Sequence, residues 1–319
     1  MIDPVRPISF DDIEQARGRI AGTVLRTPLV RLDFGTDGPD IRLKLENLQP
    51  TNAYKIRGAT NAVANLSEEQ RARGVWTISA GNAGQGVAYA ARKFGIPATV
   101  VAIETAPQTK LDRMRALGAT IVPVSYDDAW KAAESHTFPG LEGTFIHPFD
   151  NHDFIAGHAT MGLEILEDAP DVRTVIGAIG GGGLISGVGS AIKAKRPDVQ
   201  VLGAEPDTAA PYALSLQEGG PRKFTEWQAS FVDGAGGKSV TERMWQRMRP
   251  VTDGTITVTL DQTREAMRLI AEKTRTIAEG AGALALAAAL TGKAGEGSIV
   301  CVVSGGNIDL GKFAELVAA

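Results

Sequence analysis

Apolar and polar positions change rhythm along this chain in a way that predicts alternating strands and helices. Near the start, Ser9 followed by Asp12 signals a helix N-terminus, and Ile13, Ala16 and Ile20 fall on one face of that helix. From Val75 onward, short apolar runs at Val75–Ser79, Ala98–Ala102 and Thr120–Val124 have the length of buried strands. Helical patterns at Gly84–Phe94 and Gln108–Leu117 separate them, so the stretch reads as a parallel βαβαβ unit. A second series places strands at Thr174–Ile179, Val199–Ala204, Thr255–Val258 and Ile299–Val303. Helices are expected after the glycines that follow Ile179, at Gln262–Ile277, at Gly282–Leu290 and over Gly311–Ala318. The fold class is therefore α/β, with two lobes of parallel sheet flanked by helices and a ligand crevice beyond the strands' carboxyl ends.

Composition narrows the class of protein. A chain of 319 residues can build one large or two modest domains with ample core. Its 43% apolar and 22% charged residues describe an ordinary globular protein. The net charge of −4, with no basic cluster interleaved with aromatics, gives no reason to expect nucleic acid. The longest apolar stretch, Ala281–Leu290, is too short to span a bilayer and is expected as a buried helix, so no membrane is expected. Met1–Phe10 lacks the apolar centre of a secretory signal. The single cysteine, Cys301, excludes an intrachain disulfide framework and fits a reducing, cytoplasmic setting; its apolar surroundings suggest a buried small hydrophobe.

Candidate chemistry begins at Lys55. Pro50, Thr51 and Asn52 form a turn signal, with Asn52 the expected N-cap, so Lys55 falls in the first helical turn. There the helix dipole repels an ammonium; with burial, this repulsion lowers an amine's pKa and frees it to act as nucleophile or base. A solvated lysine is the plain alternative. Two strand–turn–helix segments add anion sites. Ser79-Ala80-Gly81-Asn82-Ala83 leaves backbone N–H groups uncovered at a helix start. Gly180-Gly181-Gly182-Gly183-Leu184 lets the main chain approach an anion closely.

Other patterns point less far. Gly236-Gly237-Lys238-Ser239 ends like a P-loop, but Val232 stands where the leading glycine is needed. The glycine run contains a dinucleotide-type spacing, with Glu205 as the only acidic residue near the ribose distance, so a NAD-dependent oxidoreductase stays as an alternative of another class. His147, His152 and His158 have no metal-ligand spacing on one helix face.

In this order and spacing, the segments around Lys55, Ser79–Ala83 and Gly180–Leu184 resemble the fold-type II pyridoxal-phosphate enzymes, in particular the threonine/serine dehydratase and serine racemase group. Ser304-Gly305-Gly306-Asn307 after the last strand, His147-Pro148-Phe149 with Ile155-Ala156-Gly157, and Glu279-Gly280-Ala281-Gly282-Ala283 carry the same resemblance, which runs from about residue 9 to the end. It implies a two-lobed architecture like the tryptophan synthase β chain, with 1–73 and 150–319 as the cofactor-binding domain and 74–149 as a smaller one. It implies pyridoxal 5'-phosphate bound to Lys55 as a Schiff base. Gly180, Gly181, Gly182, Gly183 and Leu184 would hold the phosphate, Asn82 the ring hydroxyl, and Ser304 the pyridine nitrogen. Ser79, Ala80, Gly81, Asn82 and Ala83 would grip the substrate carboxylate. Lys55 would then take the α-proton and the β-hydroxyl would leave, yielding a 2-oxo acid and ammonia. A homodimer follows from the family alone.

Departures from the family pattern refine the expectation. Ala80 replaces a serine with which the racemases deliver a proton from the opposite face, so dehydration is favoured over racemisation. Pro211 replaces an acidic ligand of the family's cation site, leaving Glu205 and the Ala209 carbonyl as a doubtful pair and no metal as the expectation. Ala83 replaces a histidine, which would open room for hydroxy amino acids bulkier than threonine, aryl ones included. The short stretch after Asn307 leaves no regulatory domain in view, an expectation that leans toward a catabolic role.

Overall fold

The computed structural model describes residues 4–36, 38–106 and 108–318. The strands are β1 (Leu29–Arg31), β2 (Ile41–Leu45), β3 (Val75–Ile78), β4 (Ala98–Ile103), β5 (Thr120–Val124), β6 (Thr144–Phe145), β7 (Thr174–Ala178), β8 (Gln200–Pro206), β9 (Gly254–Val258) and β10 (Ile299–Val303). The helices are α1 (Phe10–Ile20), α2 (Lys55–Ala64), α3 (Glu68–Arg73), α4 (Asn82–Phe94), α5 (Gln108–Ala116), α6 (Tyr126–Ser135), α7 (His152–Asp168), α8 (Gly183–Lys195), α9 (Pro211–Glu218), α10 (Glu242–Met248), α11 (Leu260–Thr274), α12 (Gly280–Leu290) and α13 (Leu310–Ala318).

Two sheets result. The larger runs β1-β2-β10-β7-β8-β9, all parallel except β1 against β2; the smaller runs β5-β4-β3-β6 and is parallel throughout. Parallel sheets need cover on both faces. β7 and β10 are accordingly buried along their whole lengths, and α12, apolar on every side, is buried from Gly280 to Ala289. β10 pairs with β2 so that Val303 lies opposite Leu45. This register brings Ser304 and Gly305 beside the segment leading into α2, where Ala53 and Gly305 form an isolated bridge and the Tyr54 N–H reaches the Ser304 carbonyl at 3.0 Å.

The start of α1 follows the sequence closely: Ser9 and Asp12 make a capping box, and Ile13, Ala16 and Ile20 are buried. Asn52 does not behave as expected. It adopts a left-handed φ of 54°, and α2 begins after Tyr54 with no side-chain cap. The amide of Asn52 points to Asn307 Oδ1 at 3.4 Å, because the chain must turn sharply before α2. α11 starts two residues earlier and ends three earlier than Gln262–Ile277: Thr259 and Gln262 form the capping box, and Arg275 turns left-handed. Strand β2 was hidden by Arg42 and Lys44 in an otherwise alternating run. Lys44 is fully buried, its ammonium 2.6 Å from Glu164 and 2.7 Å from the Thr27 carbonyl. Cys301 is buried as expected, its thiol donating to the Ala285 carbonyl at 3.4 Å while burial pushes its pKa up.

Candidate active site

Where β3 and β7 end, α4 and α8 begin, and the two helix starts face the first turn of α2 across a cavity of about 340 Å³. Lys55, Ser79, Ala80, Gly81, Asn82, Ala83, Gly181 and Ser304 all border it. The sequence singled out each of these, from four separate segments. Gly180, Gly182, Gly183 and Leu184 complete the same turn and the first turn of α8.

Lys55 is the first residue of α2. Its amine is enclosed, donating to the Pro148 carbonyl at 2.7 Å and lying 5.2 Å from the Tyr54 ring centre and 5.4 Å from that of Phe154. No carboxylate offsets the loss of water, and burial lowers the amine's pKa to about 7. An amine that is about half unprotonated at neutral pH is a competent nucleophile and base. α2 is anchored from behind by Arg57, which is fully buried and bonds Glu46 and Glu164 at 2.8–2.9 Å through both forks of its guanidinium.

The glycine turn is packed tightly on its rear. A Cβ at Gly181 would lie 2.3 Å from Phe149 Cγ, one at Gly180 2.7 Å from the Gly234 carbonyl, and Gly182 holds a left-handed φ of 87°. Side chains are thus excluded, and the backbone N–H groups opening α8 stay bare for an anion. α4 has no side-chain cap either; Ser79 Oγ accepts from the Gly81 N–H at 3.1 Å and shapes the turn before it. Ser304 is buried, its hydroxyl donating to the Ala281 carbonyl at 3.3 Å.

Several residues on the wall were given no role by sequence. Pro148 and Phe149 belong to a segment fixed by His147 Nδ1, which accepts from the Phe149 and Asp150 N–H groups at 3.3 and 2.9 Å, and by Arg243 and Arg247, which donate to Asp150. Burial lowers the His147 pKa to about 3, so it is a neutral acceptor. Glu279 borders the cavity and accepts from Asn82 Nδ2 at 2.6 Å; burial and nearby Asp233 raise its carboxyl to about 7. Lys110 and Asp233 pair at 2.8 Å on the same wall. Apart from the local His147 turn, these contacts join residues far apart in sequence, and no local pattern announces them.

Glu205 and Ala209 lie elsewhere. Both Glu205 oxygens serve the start of α9, accepting the Tyr212 and Ala213 N–H groups at 2.8 and 2.9 Å, and burial raises this carboxyl to about 7. Among the described residues no cluster of three or more histidines, cysteines or acids could hold a metal, and no helix is long and apolar enough to cross a membrane.

An enclosed amine for an aldehyde, a bare glycine turn for a phosphate, and a neutral hydroxyl at a strand end fit pyridoxal phosphate, and together with the two parallel sheets they define a fold-type II enzyme of that cofactor. The chain belongs to the pyridoxal-phosphate dependent enzyme family, whose model matches residues 20–305. It is 39% identical over 315 residues to the L-threonine ammonia-lyase of Thermotoga maritima, covering 97% of this chain and 78% of that one. It is 35% identical over 321 residues to the catabolic L-threonine dehydratase TdcB of Staphylococcus aureus, covering 97% and 92%. The structure of maize serine racemase superposes with a TM-score of 0.90 at 33% identity, covering 97% of each chain.

Proposed function

We propose that this enzyme is a β-elimination lyase that converts a β-hydroxy-α-amino acid (threonine, serine or a bulkier 3-hydroxy amino acid) to a 2-oxo acid and ammonia. The observation that carries the reading is the enclosed Lys55 amine, with its pKa near 7, in the same cavity as the uncapped start of α4. The similarity to the threonine lyases over nearly the whole chain supports it.

When bound, pyridoxal phosphate supplies an aldehyde for amine exchange and a conjugated ring that withdraws electrons from the substrate's Cα–H bond. The protein's share is positional. The turn Ser79-Ala80-Gly81-Asn82-Ala83 receives the substrate carboxylate, with the Ser79 N–H kept in the ladder to Val101 and the Gly81 N–H on Ser79 Oγ, and the backbone N–H groups of Gly180, Gly181, Gly182, Gly183 and Leu184 receive the cofactor phosphate. Asn82 donates to the ring hydroxyl. Ser304 would face the ring nitrogen with a neutral hydroxyl rather than a carboxylate, a setting that suits prompt loss of the β-hydroxyl. Lys55, once free, takes the α-proton at Nζ. Racemisation is the second reading, favoured by the maize serine racemase likeness, but Ala80 has no proton to deliver from the opposite face.

The same reading takes 1–73 with 150–319 as the cofactor-binding domain and 74–149 as the smaller one, in a cytoplasmic homodimer. Light scattering tests the assembly. The activity test is a panel of serine, threonine and β-aryl serine, scored for 2-oxo acid and for the opposite enantiomer. Purified protein should be yellow, and borohydride should bleach the band irreversibly. A colourless protein that takes up no cofactor, or turnover to enantiomer without oxo acid, would reject the reading.

A further inference from the structure

Four polar side chains, Arg113, Asn307, Asn82 and Glu279, form a chain at the cavity wall whose direction is fixed at its far end. Arg113 Nη1 donates to Asn307 Oδ1 at 2.8 Å, and because a guanidinium cannot accept, that oxygen must face it. Asn307 Nδ2 therefore donates to the Thr51 carbonyl and to Asn82 Oδ1, each at 2.8 Å. With its oxygen occupied, Asn82 turns Nδ2 to Glu279 Oε1 at 2.6 Å. One amide hydrogen remains, on a side chain that borders the cavity. An unrestrained asparagine could show the cavity either an acceptor or a donor; this one can show only a donor.

The surroundings preserve the arrangement. A Cβ at Gly305 would lie 2.6 Å from Glu279 Oε1 and 3.2 Å from Asn82 Nδ2, so a side chain there would strike the pair. The Glu279 N–H is tied to the Gly305 carbonyl at 3.0 Å, which fixes the start of α12 against the same turn.

We propose that Glu279 is a positioning residue which, with Asn307, locks the Asn82 side chain as a hydrogen-bond donor aimed at an anionic oxygen in the cavity. This rests on the reading that the cavity takes pyridoxal phosphate and an amino acid. The acceptor is then the cofactor's ring oxygen or the substrate's carboxylate, and the test separates them. Glu279 acts through Asn82 rather than on substrate, since its carboxyl accepts from the Asn82 amide and from the Asn307 backbone N–H. Its charge also matters. Burial and Asp233 raise the carboxyl while Lys110 lowers it, leaving it near 7. Tyr54 and Lys55 are the other titratable groups on the cavity wall nearby. Ionised Glu279 opposes a second negative charge on the far side of Asn82, so the bound cofactor's absorbance should shift as pH crosses 7.

The experiment compares wild type with Glu279→Leu, Glu279→Gln and Asn307→Asp. It reads the dissociation constant of pyridoxal phosphate by fluorescence on reconstitution, KM and kcat for threonine, and the pH midpoint of the bound cofactor's absorbance. Glu279→Leu should weaken the affected partner by about tenfold or more, the worth of one charge-assisted hydrogen bond. The change falls on the cofactor constant if the ring oxygen is held, and on KM if the carboxylate is. Glu279→Gln keeps an accepting oxygen without charge, so it should recover most of the affinity while losing the absorbance shift near pH 7. Asn307→Asp keeps the volume but sets oxygen against Asn82 Oδ1, and should act in the direction of Glu279→Leu. Wild-type constants and an unmoved pH midpoint in Glu279→Leu would overturn the proposal. If that variant does not fold, the same result in Asn307→Asp does so. Normal cofactor uptake with unaffected variants overturns this inference alone; a wild-type protein that takes up no cofactor overturns the underlying reading with it.

Discussion

The amine of Lys55 donates to the carbonyl oxygen of Pro148 at 2.7 Å, so the first turn of α2 is tied directly to the segment that backs the glycine turn. The next residue, Phe149, fills the space that a side chain at Gly181 would need. One short segment thereby sets both the Lys55 amine and the glycine turn.

The enclosure of Lys55 has a measurable sign. The amine loses its proton near pH 7 rather than 10.5, so the rate of cofactor uptake by apoprotein should climb with pH up to about 7 and then level. An exposed lysine would keep gaining reactivity toward 10.5. Stopped-flow absorbance across that range decides, and a rate still rising through pH 9 to about 10 would contradict the enclosed amine. Lys55→Ala should lower oxo-acid formation by roughly 10²–10⁴-fold, the usual worth of a positioned acid–base group.

Gly181→Ala should weaken pyridoxal phosphate by about tenfold or more, because its Cβ would meet Phe149 Cγ at 2.3 Å and overpacking costs about 1–3 kcal/mol. The three atoms nearest that Cβ all belong to the Phe149 ring, at 2.3–2.7 Å, so the loss should shrink in a Phe149→Ala background. A double-mutant cycle on cofactor affinity gives the coupling. Additive effects would mean that the turn yields some other way.

Much of the site was legible because it is made of turns. The Ser79–Ala83 and Gly180–Leu184 segments announce themselves by composition; Ser79–Ala83 and Gly181 border the cavity, and Gly183 opens α8. Buried polar networks did not. Lys44, Arg57 and Glu46 read as surface charges in a sequence, yet all three are fully buried because they pair with one another or with Glu164. Glu279 stood within a recognisable Glu-Gly-Ala-Gly-Ala run, but its role depends on Asn82, 197 residues away. Asn52 failed for a local reason: the sharp turn into α2 uses its tolerance of a left-handed backbone, not its capping oxygen.

Arg57 offers a test of that hidden network. Arg57→Met would leave buried Glu46 with Thr27 and Gln49 as hydrogen-bond partners, at 2.6 and 3.1 Å, and Lys44 as its nearby cation. Breaking a buried pair from one side costs about 3–5 kcal/mol, and Lys cannot repeat the double fork, so Arg57→Lys should also destabilise. Urea unfolding of the apoprotein measures both. A loss below about 1 kcal/mol for Arg57→Met would place the network's worth at the level of a surface pair.

Ala83 is buried on the cavity wall in the first turn of α4. Ala83→His should lower kcat/KM for a β-aryl serine more than for threonine, by about tenfold, since a ring there takes up room that a large β-substituent needs. An unchanged ranking of serine, threonine and β-aryl serine would show that some other side chain fills the gap.

Ala80 bears on which of two reactions follows loss of the α-proton. In the proposed reaction Lys55 serves one face of the substrate, and return of a proton from that face would regenerate the starting enantiomer. Inversion requires a second donor across from it. Ala80 borders the cavity from α4's turn and carries no exchangeable hydrogen. Its neighbour Ser79 has a hydroxyl whose oxygen accepts the Gly81 N–H at 3.1 Å and helps hold the turn in shape, an interaction that does not use the hydroxyl's own hydrogen. Ala80→Ser adds one hydroxyl at a wall position without altering the amine, the glycine turn or Ser304. The variant should therefore gain release of D-serine from L-serine, read by chiral chromatography, while oxo-acid formation persists. Wild type should release oxo acid with D-serine below about a hundredth of it, given the 10²–10⁴-fold that a positioned acid contributes. Equal D-serine release by both proteins would mean that the opposite-face proton comes from elsewhere, and the case for elimination over racemisation at this site would fall with it.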